Sequence, residues 1–150
     1  MKIHNAHIVF EVREDGPAVK LNKAELVVEY MKGAFDFNPD QESFWVILLN
    51  RKDYPKGRQM VTLGTATSAL AHPREVFRAA IMASATAIIC VHNHPSGDPA
   101  PSIADTQLTN QLRDAARIIQ IELHDHVIIG DIACDPTGKG YYSYRQVGLL

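Results

Sequence analysis

Two histidines separated by one residue, His92 and His94, are well placed in this sequence to bind a metal ion. They close an apolar run with the composition of a buried strand, and a strand directs residues i and i+2 to the same face. Asp105 follows after a loop rich in proline and glycine, in the first turn of the next predicted helix. Two neutral imidazoles and one carboxylate suit Zn²⁺ and leave its fourth tetrahedral position open. The sequence therefore predicts one zinc ion per chain, held by His92, His94 and Asp105.

A zinc ion with an open position is typical of a catalytic site, because the ion lowers the pKa of water to roughly 7 and polarises a carbonyl group. Such a site needs a base that lies near the water without binding the metal. We predict this role for Glu42, which lies at the beginning of another buried strand that could pair beside the histidine strand. Ser102 is predicted to donate a hydrogen bond to the oxyanion that develops during hydrolysis.

Each of these residues also has a structural interpretation when it is taken alone. Ser102 and Asp105 have the spacing of a helix capping box, in which the serine caps the helix and the acid reaches back. A single His-x-His pair is more often structural than a pair of ligands, and Glu42 alone is typical of a solvated carboxylate at a strand edge. The combination of a strand-end histidine pair, a turn-rich loop and a capped aspartate favours the metal site.

A second His-x-His pair, His124 and His126, lies on a later predicted strand. No acidic residue follows this pair at the start of a helix, so we interpret both histidines as structural, with Asp125 or His126 as a candidate to orient a metal ligand. Cys90 is predicted to be a small buried apolar residue rather than a ligand. Asn93 points away from the ligands on its strand and is predicted to stabilise a turn.

The elements that position these residues can be predicted from hydrophobic periodicity and turn signals. Helices are predicted at 22–31, 73–83 and 102–119, with Asn22 and Ser102 as N-terminal caps of the first and last. Strands are predicted at 7–12, 44–49, 59–64, 87–91, 123–129 and 141–144, with a polar turn at 51–57 and an irregular loop at 92–101. Alternating helices and strands with hairpins predict an α/β sandwich around a mixed central sheet.

Length and composition restrict the class of protein. A chain of 150 residues without a linker or a repeat is expected to form one domain over 1–150. The formal net charge of -2 gives no support for nucleic-acid binding, and two cysteines are too few for a disulfide framework or a cysteine-rich zinc module. Because the sequence has neither a long apolar run nor a secretion signal, we expect a soluble, cytoplasmic protein that does not bind membranes.

The candidate site resembles the JAMM (MPN+) metalloprotease superfamily. The pattern of that superfamily is a distant glutamate, then His-x-His-Pro, a serine and an aspartate. Here it reads Glu42, His92-Asn93-His94-Pro95, Ser102 and Asp105, with the spacing of the superfamily. The resemblance implies a cytidine-deaminase-like (JAB/MPN) α/β/α fold with one zinc ion on His92, His94 and Asp105. It also implies that Glu42 activates water and that Ser102 belongs to the active site.

Within the superfamily, the residues of the motifs are most similar to those of the bacterial RadC-like proteins. The similar stretches are 41–44, 72–77, 92–99 and 125–130, and the resemblance covers roughly residues 25 to 145. It implies a zinc-dependent hydrolase, a metallopeptidase or isopeptidase that acts on a peptide or protein substrate. Two alternatives stay open, a DNA-repair-associated factor and a non-catalytic interaction module. We expect this chain to lack the N-terminal helix-hairpin-helix segment with which longer RadC-like proteins are thought to contact DNA.

Overall fold

The computed structural model of the protein describes residues 1–2, 19–64 and 71–150, so the strand predicted at 7–12 lies outside the described residues. The described residues form three helices, α1 (Ala24–Tyr30), α2 (Pro73–Met82) and α3 (Ile103–Ile119). They also form five strands, β1 (Ser43–Leu49), β2 (Pro55–Leu63), β3 (Ala87–Asn93), β4 (Glu122–Ile129) and β5 (Tyr141–Ser143). The predicted α/β composition is confirmed.

The strands form one mixed sheet in the order β2-β1-β3-β4-β5. β1 is antiparallel to both β2 and β3, β3 is parallel to β4, and β5 is antiparallel to β4. A parallel pair needs a crossover connection, which α3 provides between β3 and β4. The start of α3 and the end of β3 therefore meet at the same edge of the sheet, where the candidate ligands lie.

Helices cover both faces of the sheet. Successive residues of a strand face opposite sides of the sheet, so the strands contribute to two separate apolar clusters. The cluster under α2 and α3 includes the strand residues Phe44, Val46, Leu48, Ile88 and Cys90, and the cluster under α1 includes Ile47, Leu49, Ile89, Val91 and Val127. The predicted α/β/α sandwich with a mixed central sheet is confirmed, and Cys90 is a buried apolar residue as predicted.

The helix that carries the candidate aspartate begins as the sequence predicts. Ser102 is the N-cap of α3, and its side chain accepts a hydrogen bond from the backbone N–H of Asp105. The 17-residue helix ends at Ile119, and its C-cap, Gln120, adopts the left-handed conformation with φ of 61°. Among the described residues, no helix combines the length and the apolar character that crossing a membrane requires.

Three predicted boundaries were wrong. Asn22 is not the cap of α1, because Lys23 occupies that position and makes no capping hydrogen bond through its side chain. The predicted turn at 51–57 was too long, because pairing with β1 already begins at Pro55. The irregular loop begins after Asn93 rather than at His92, because β3 remains paired with β1 and β4 through these two residues.

Candidate metal centre

Neighbouring strands bring the candidate base and the histidines together. His92 pairs with Phe44 of β1 in the antiparallel register, and Glu42 precedes that strand by one residue. His94 follows β3 directly, and its backbone N–H donates to the carbonyl oxygen of Ile129 at 2.9 Å. The register of two strands therefore places the Glu42 carboxylate beside two imidazoles that lie about fifty residues further along the chain.

Four side chains converge at this edge of the sheet. One ligand atom from each of Glu42, His92, His94 and Asp105 lies within 4.8 Å of the others. The Nε2 atoms of His92 and His94 are 3.1 Å apart. Nε2 of His92 is 3.3 Å from Asp105 Oδ1, and Nε2 of His94 is 3.4 Å from Asp105 Oδ2. The structure thus brings together the three predicted ligands and the predicted base.

These separations fit a tetrahedral metal. Nitrogen and oxygen donors about 2.05 Å from a zinc ion lie about 3.3 Å apart along the edges of a tetrahedron. The two histidine nitrogens are 3.1 Å apart, and each lies at a similar distance from one oxygen of Asp105, His92 at 3.3 Å from Oδ1 and His94 at 3.4 Å from Oδ2. Two nitrogens and one carboxylate are also the donor types that zinc accepts. The residues present therefore fit an ion of this size, with an oxygen of Asp105 as the third donor.

One side of the cluster is closed and the other is open. The His92 side chain is completely buried, whereas the side chain of Glu42 is 27% exposed. Glu42 and His94 border a groove of about 600 Å³, whose other lining residues are Asp40, Gln41, Gly64, Pro95 and Ser96. The groove gives a ligand access to Glu42 and His94, whereas His92 and Asp105 are buried on the closed side.

The electrostatics of the cluster favour the metal-binding forms of Asp105 and His92. Burial raises the pKa of Asp105, but its contacts with the imidazoles of His92 and His94 outweigh this effect and hold the pKa far below its ordinary range. Burial lowers the pKa of His92, which favours the neutral imidazole. Burial also lowers the pKa of His94, but the contacts with Asp105 and with the Asp98 carbonyl outweigh it, so the net shift is upward. A metal ion must therefore compete with a proton for His94, and this competition grows as the pH falls.

The environment of Glu42 raises the pKa of its carboxyl group above the ordinary value. Its Oε1 lies 3.5 Å from Nε2 of His92. Burial raises the pKa of Glu42, His94 lowers it, and the negative charge of Asp105 raises it further, with an upward net shift. Because a general base works best when its pKa approaches the operating pH, this shift suits the predicted role.

Ser102 forms the capping box that the spacing allowed as an alternative. Its backbone N–H and its hydroxyl donate to Oδ2 of Asp105 at 2.7 and 2.6 Å, and its hydroxyl oxygen accepts from the N–H of Asp105 at 3.1 Å. The one hydroxyl proton is therefore used to orient the Asp105 carboxylate. Donation from Ser102 to an oxyanion, which remains a prediction, would require this hydrogen bond to break.

The loop after β3 orients His94. The Nδ1–H of His94 donates to the backbone carbonyl of Asp98 at 2.8 Å, which leaves Nε2 free to bind a metal. The N–H of Gly97 donates to the His94 carbonyl at 2.9 Å, and the Gly97 carbonyl accepts from the N–H of Asp131 at 2.7 Å. A Cβ on Gly130 would lie 2.2 Å from the Gly97 oxygen. Glycine at 130 is therefore required for the close packing that holds this loop.

Asn93 has a role that the sequence interpretation missed. It lies in β3, so the predicted turn-stabilising role was wrong. Its Oδ1 accepts from the backbone N–H of Ser43 at 2.8 Å, and its Nδ2 donates to the carbonyl of Gln41 at 3.0 Å. These two contacts flank Glu42 and fix the backbone that carries it. The useful signal in the sequence was the alternation of the strand, which places the Asn93 side chain on the opposite side from the two histidines. Its contacts with Ser43 and Gln41 follow from the pairing of β3 with β1.

The second histidine pair is divided between two faces of the sheet. The register of β3 and β4 shifts so that Leu123 pairs with Ile88 and Asp125 pairs with Ile89, which leaves His124 in a bulge. His124 Nδ1 lies 3.5 Å from Asp53 Oδ1, away from the cluster. His126 is fully buried, and its Nε2 lies 2.9 Å from Nδ1 of His92. Only His126 of this pair therefore contacts a candidate ligand.

Comparison with known proteins places the sequence among known families. Residues 21–149 match the model of the RadC-like JAB domain. A UPF0758 protein of Chlorobium phaeovibrioides (strain DSM 265 / 1930) is 50% identical over 133 residues, which are 87% of this chain and 55% of the relative. A UPF0758 protein of Pelodictyon phaeoclathratiforme (strain DSM 5477 / BU-1) is 47% identical over 133 residues, with the same coverage.

A third relative, with lower identity, covers a similar share of this chain. A UPF0758 protein of Geobacillus sp. (strain WCH70) is 44% identical over 128 residues, which are 85% of this chain and 51% of the relative. The chain spans about half the length of the relatives it matches. The family model covers most of the chain, and the cluster at its strand edge could hold a metal ion. The chain therefore belongs to the family of RadC-like JAB domains.

Proposed function

We propose that the protein is a zinc-dependent hydrolase, a metallopeptidase or isopeptidase, that acts on a peptide or protein substrate in the cytoplasm. The observation that carries this proposal is the convergence of two imidazoles and one carboxylate at separations close to those of a zinc site, with a second carboxylate beside them. His92, His94 and Asp105 would hold one zinc ion, and Glu42 would remain free for proton transfer. When bound, zinc supplies a Lewis acid that polarises a carbonyl and lowers the pKa of water to about 7.

Glu42 would move the proton that hydrolysis requires. Its carboxylate would accept a proton from the attacking water at an Oε atom and then deliver it to the nitrogen of the departing amine. The upward shift of the pKa of Glu42, caused first by burial, strengthens its carboxylate as a proton acceptor. The position of the Glu42 carboxylate is maintained by Asn93, which hydrogen-bonds the backbone on both sides of it.

The groove beside Glu42 is suited to an extended peptide segment. Its volume of about 600 Å³ and its lining residues Gly64, Pro95 and Ser96 leave room for a backbone to approach His94 and Glu42. The closed side, where His92 and Asp105 are buried, excludes water from one side of the cluster. The presence of all five predicted residues favours an active hydrolase over a non-catalytic interaction module.

Metal content is the first test of this proposal. Protein purified without added metal should contain about one zinc per chain by elemental analysis, and a variant with both His92→Ala and His94→Ala should contain none. His124→Ala is the matched control, because this histidine lies on the same strand as His126 but faces away from the cluster. Wild-type protein that takes up no zinc would overturn the proposed function.

Activity is the second test. Peptide and isopeptide substrates should be screened with the zinc-loaded wild type and with Glu42→Gln. The Gln variant should retain zinc and lose about a hundredfold or more in kcat, because it cannot accept the proton. Full activity in Glu42→Gln would show that another group is the base.

A further inference from the structure

A chain of buried hydrogen bonds leads from His92 back to the helix that carries Asp105. Nδ1 of His92 lies 2.9 Å from Nε2 of His126, and Nδ1 of His126 lies 2.6 Å from the hydroxyl oxygen of Thr109. The Thr109 hydroxyl lies 2.7 Å from the backbone carbonyl oxygen of Asp105. We refer to His92, His126, Thr109 and the Asp105 carbonyl as the relay. Its three side chains are buried.

The direction of the relay follows from counting protons. A carbonyl oxygen cannot donate, so the hydroxyl of Thr109 must donate its one proton to Asp105. The Thr109 oxygen can then only accept from His126, which places a proton on Nδ1 of His126. A neutral imidazole that carries its one proton on Nδ1 has a lone pair on Nε2, as His126 then does. That lone pair can only accept from His92, which places the His92 proton on Nδ1.

Stacked aromatic rings hold both histidines of the relay in this orientation. Phe44 stacks on His92 with ring centroids 5.9 Å apart and an interplanar angle of 15°. Tyr144 stacks on His126 with centroids 5.2 Å apart and an angle of 10°. Such contacts limit rotation of the imidazoles, so the hydrogen bonds cannot exchange by ring flips without disturbing the core.

We propose that Thr109 and His126 are positioning residues that fix His92 in the tautomer protonated on Nδ1 and thereby present the lone pair of its Nε2 to the metal. This inference rests on the metal centre of the proposed function and not on the hydrolytic reaction. In this arrangement the two histidine ligands are oriented by two different backbone carbonyl groups. His94 donates to a loop carbonyl, whereas His92 is directed by a carbonyl of the same helix that supplies the third ligand.

Two variants of Thr109 test the relay. Thr109→Val keeps the shape of the side chain and removes the hydroxyl, and Thr109→Ser keeps the hydroxyl and removes a methyl group. Loss of an orienting partner typically lowers metal affinity about 10-fold to 100-fold. Zinc affinity, measured by competition with a chelator, should fall by this amount in Thr109→Val and should be recovered in Thr109→Ser. Thermal denaturation of the metal-free variants establishes that both are folded.

Nitrogen NMR of the histidine rings reads the tautomers directly. In metal-free wild type near neutral pH, the ring ¹⁵N shifts should show protonated Nδ1 and unprotonated Nε2 for both His92 and His126. In Thr109→Val, His126 should populate the opposite tautomer. Wild-type spectra with the proton of either ring on Nε2, or unchanged zinc affinity in Thr109→Val, would overturn the inference. Wild type that binds no zinc would overturn the proposed function, and the metal-free spectra would still decide the direction of the relay.

Discussion

Asn93 and Ser43 are joined across two strands by a pair of hydrogen bonds to a single oxygen. Oδ1 of Asn93 accepts from the backbone N–H of Ser43 at 2.8 Å and from its hydroxyl at 3.2 Å. The amide group of the same side chain donates to the carbonyl of Gln41. Glu42 lies between these two partners, so the backbone of the proposed base is fixed by a residue that stands between the two histidine ligands in sequence.

Asn93→Ala should therefore reduce catalysis more than metal binding. Without the amide, the backbone around Glu42 can shift, and a misplacement of about 1 Å can cost on the order of 100-fold in rate. We expect kcat to fall by roughly 10-fold to 100-fold while zinc content stays at one per chain. Asn50→Ala is the matched control, because Asn50 caps the turn at the other end of β1. A loss of zinc without a loss of kcat on a zinc-saturated sample would contradict this role.

Ser102→Ala should weaken both the helix and the metal centre. The change removes an N-cap, which typically costs about 1 kcal/mol of unfolding free energy. It also removes the hydroxyl that donates to Asp105, so zinc affinity should fall by about tenfold. Ser102→Thr retains a capping hydroxyl and should restore both quantities, measured by denaturant unfolding and chelator competition. Unchanged zinc affinity combined with a large loss of kcat would instead support the predicted contact with an oxyanion.

Gly130→Ala should disturb the loop that carries His94. The added Cβ would meet the Gly97 carbonyl at 2.2 Å and Pro99 Cδ at 2.9 Å, so the loop must move. We expect a loss of roughly 1–3 kcal/mol in stability from the forced shift, together with weaker zinc binding. Gly138→Ala separates the two effects. That glycine has φ of +71° but no atom within 4 Å of an added Cβ, so its substitution should lower stability without changing zinc affinity.

Asp125 should make stability depend on pH in a direction opposite to that of most carboxylates. Burial raises its pKa, although hydrogen bonds from Ser143 and from the backbone of Arg145 and His126 lower it, and the net shift is upward. As the pH falls, Asp125 therefore takes up its proton at a higher pH in the folded protein than in the unfolded chain. This contribution to stability is fully present below the unfolded pKa of about 3.9 and is lost as the pH rises through the folded pKa.

Asp125→Asn removes this titration and keeps an oxygen that can accept from the backbone. Relative to the Asn variant, wild type should become more stable as the pH is lowered from about 7 to about 4. Urea denaturation at several pH values measures the difference. A difference that does not vary with pH, or that moves in favour of the Asn variant on acidification, would show that the pKa of Asp125 is not raised.

The sequence predicted the parts of the site that are close together in the chain. The spacing of His92, His94 and Asp105 required only a strand, a turn-rich loop and a capped helix, and each of these has a local sequence signal. Among the described residues, the elements themselves were predicted correctly except near their ends. Boundaries were the weak point, since pairing across the sheet extends β3 through His92 to Asn93 and starts β2 at Pro55.

The contacts that join distant parts of the chain could not be predicted in the same way. Glu42 lies beside His92 only because β1 and β3 pair in one particular register. His126 and Thr109 meet His92 only because β4 runs parallel to β3 and α3 crosses between them. The bulge at His124 leaves no local signal, yet it determines which histidine of the pair faces the cluster. Register and bulges depend on tertiary packing rather than on local propensity.

The three proposed ligands all lie between His92 and Asp105, in one short stretch of chain. An ion bound there would therefore join no distant segments of the chain. The apolar clusters on both sides of the sheet do not include this loop. We therefore expect the metal-free protein to remain folded, so that uptake of an ion requires no refolding of the chain.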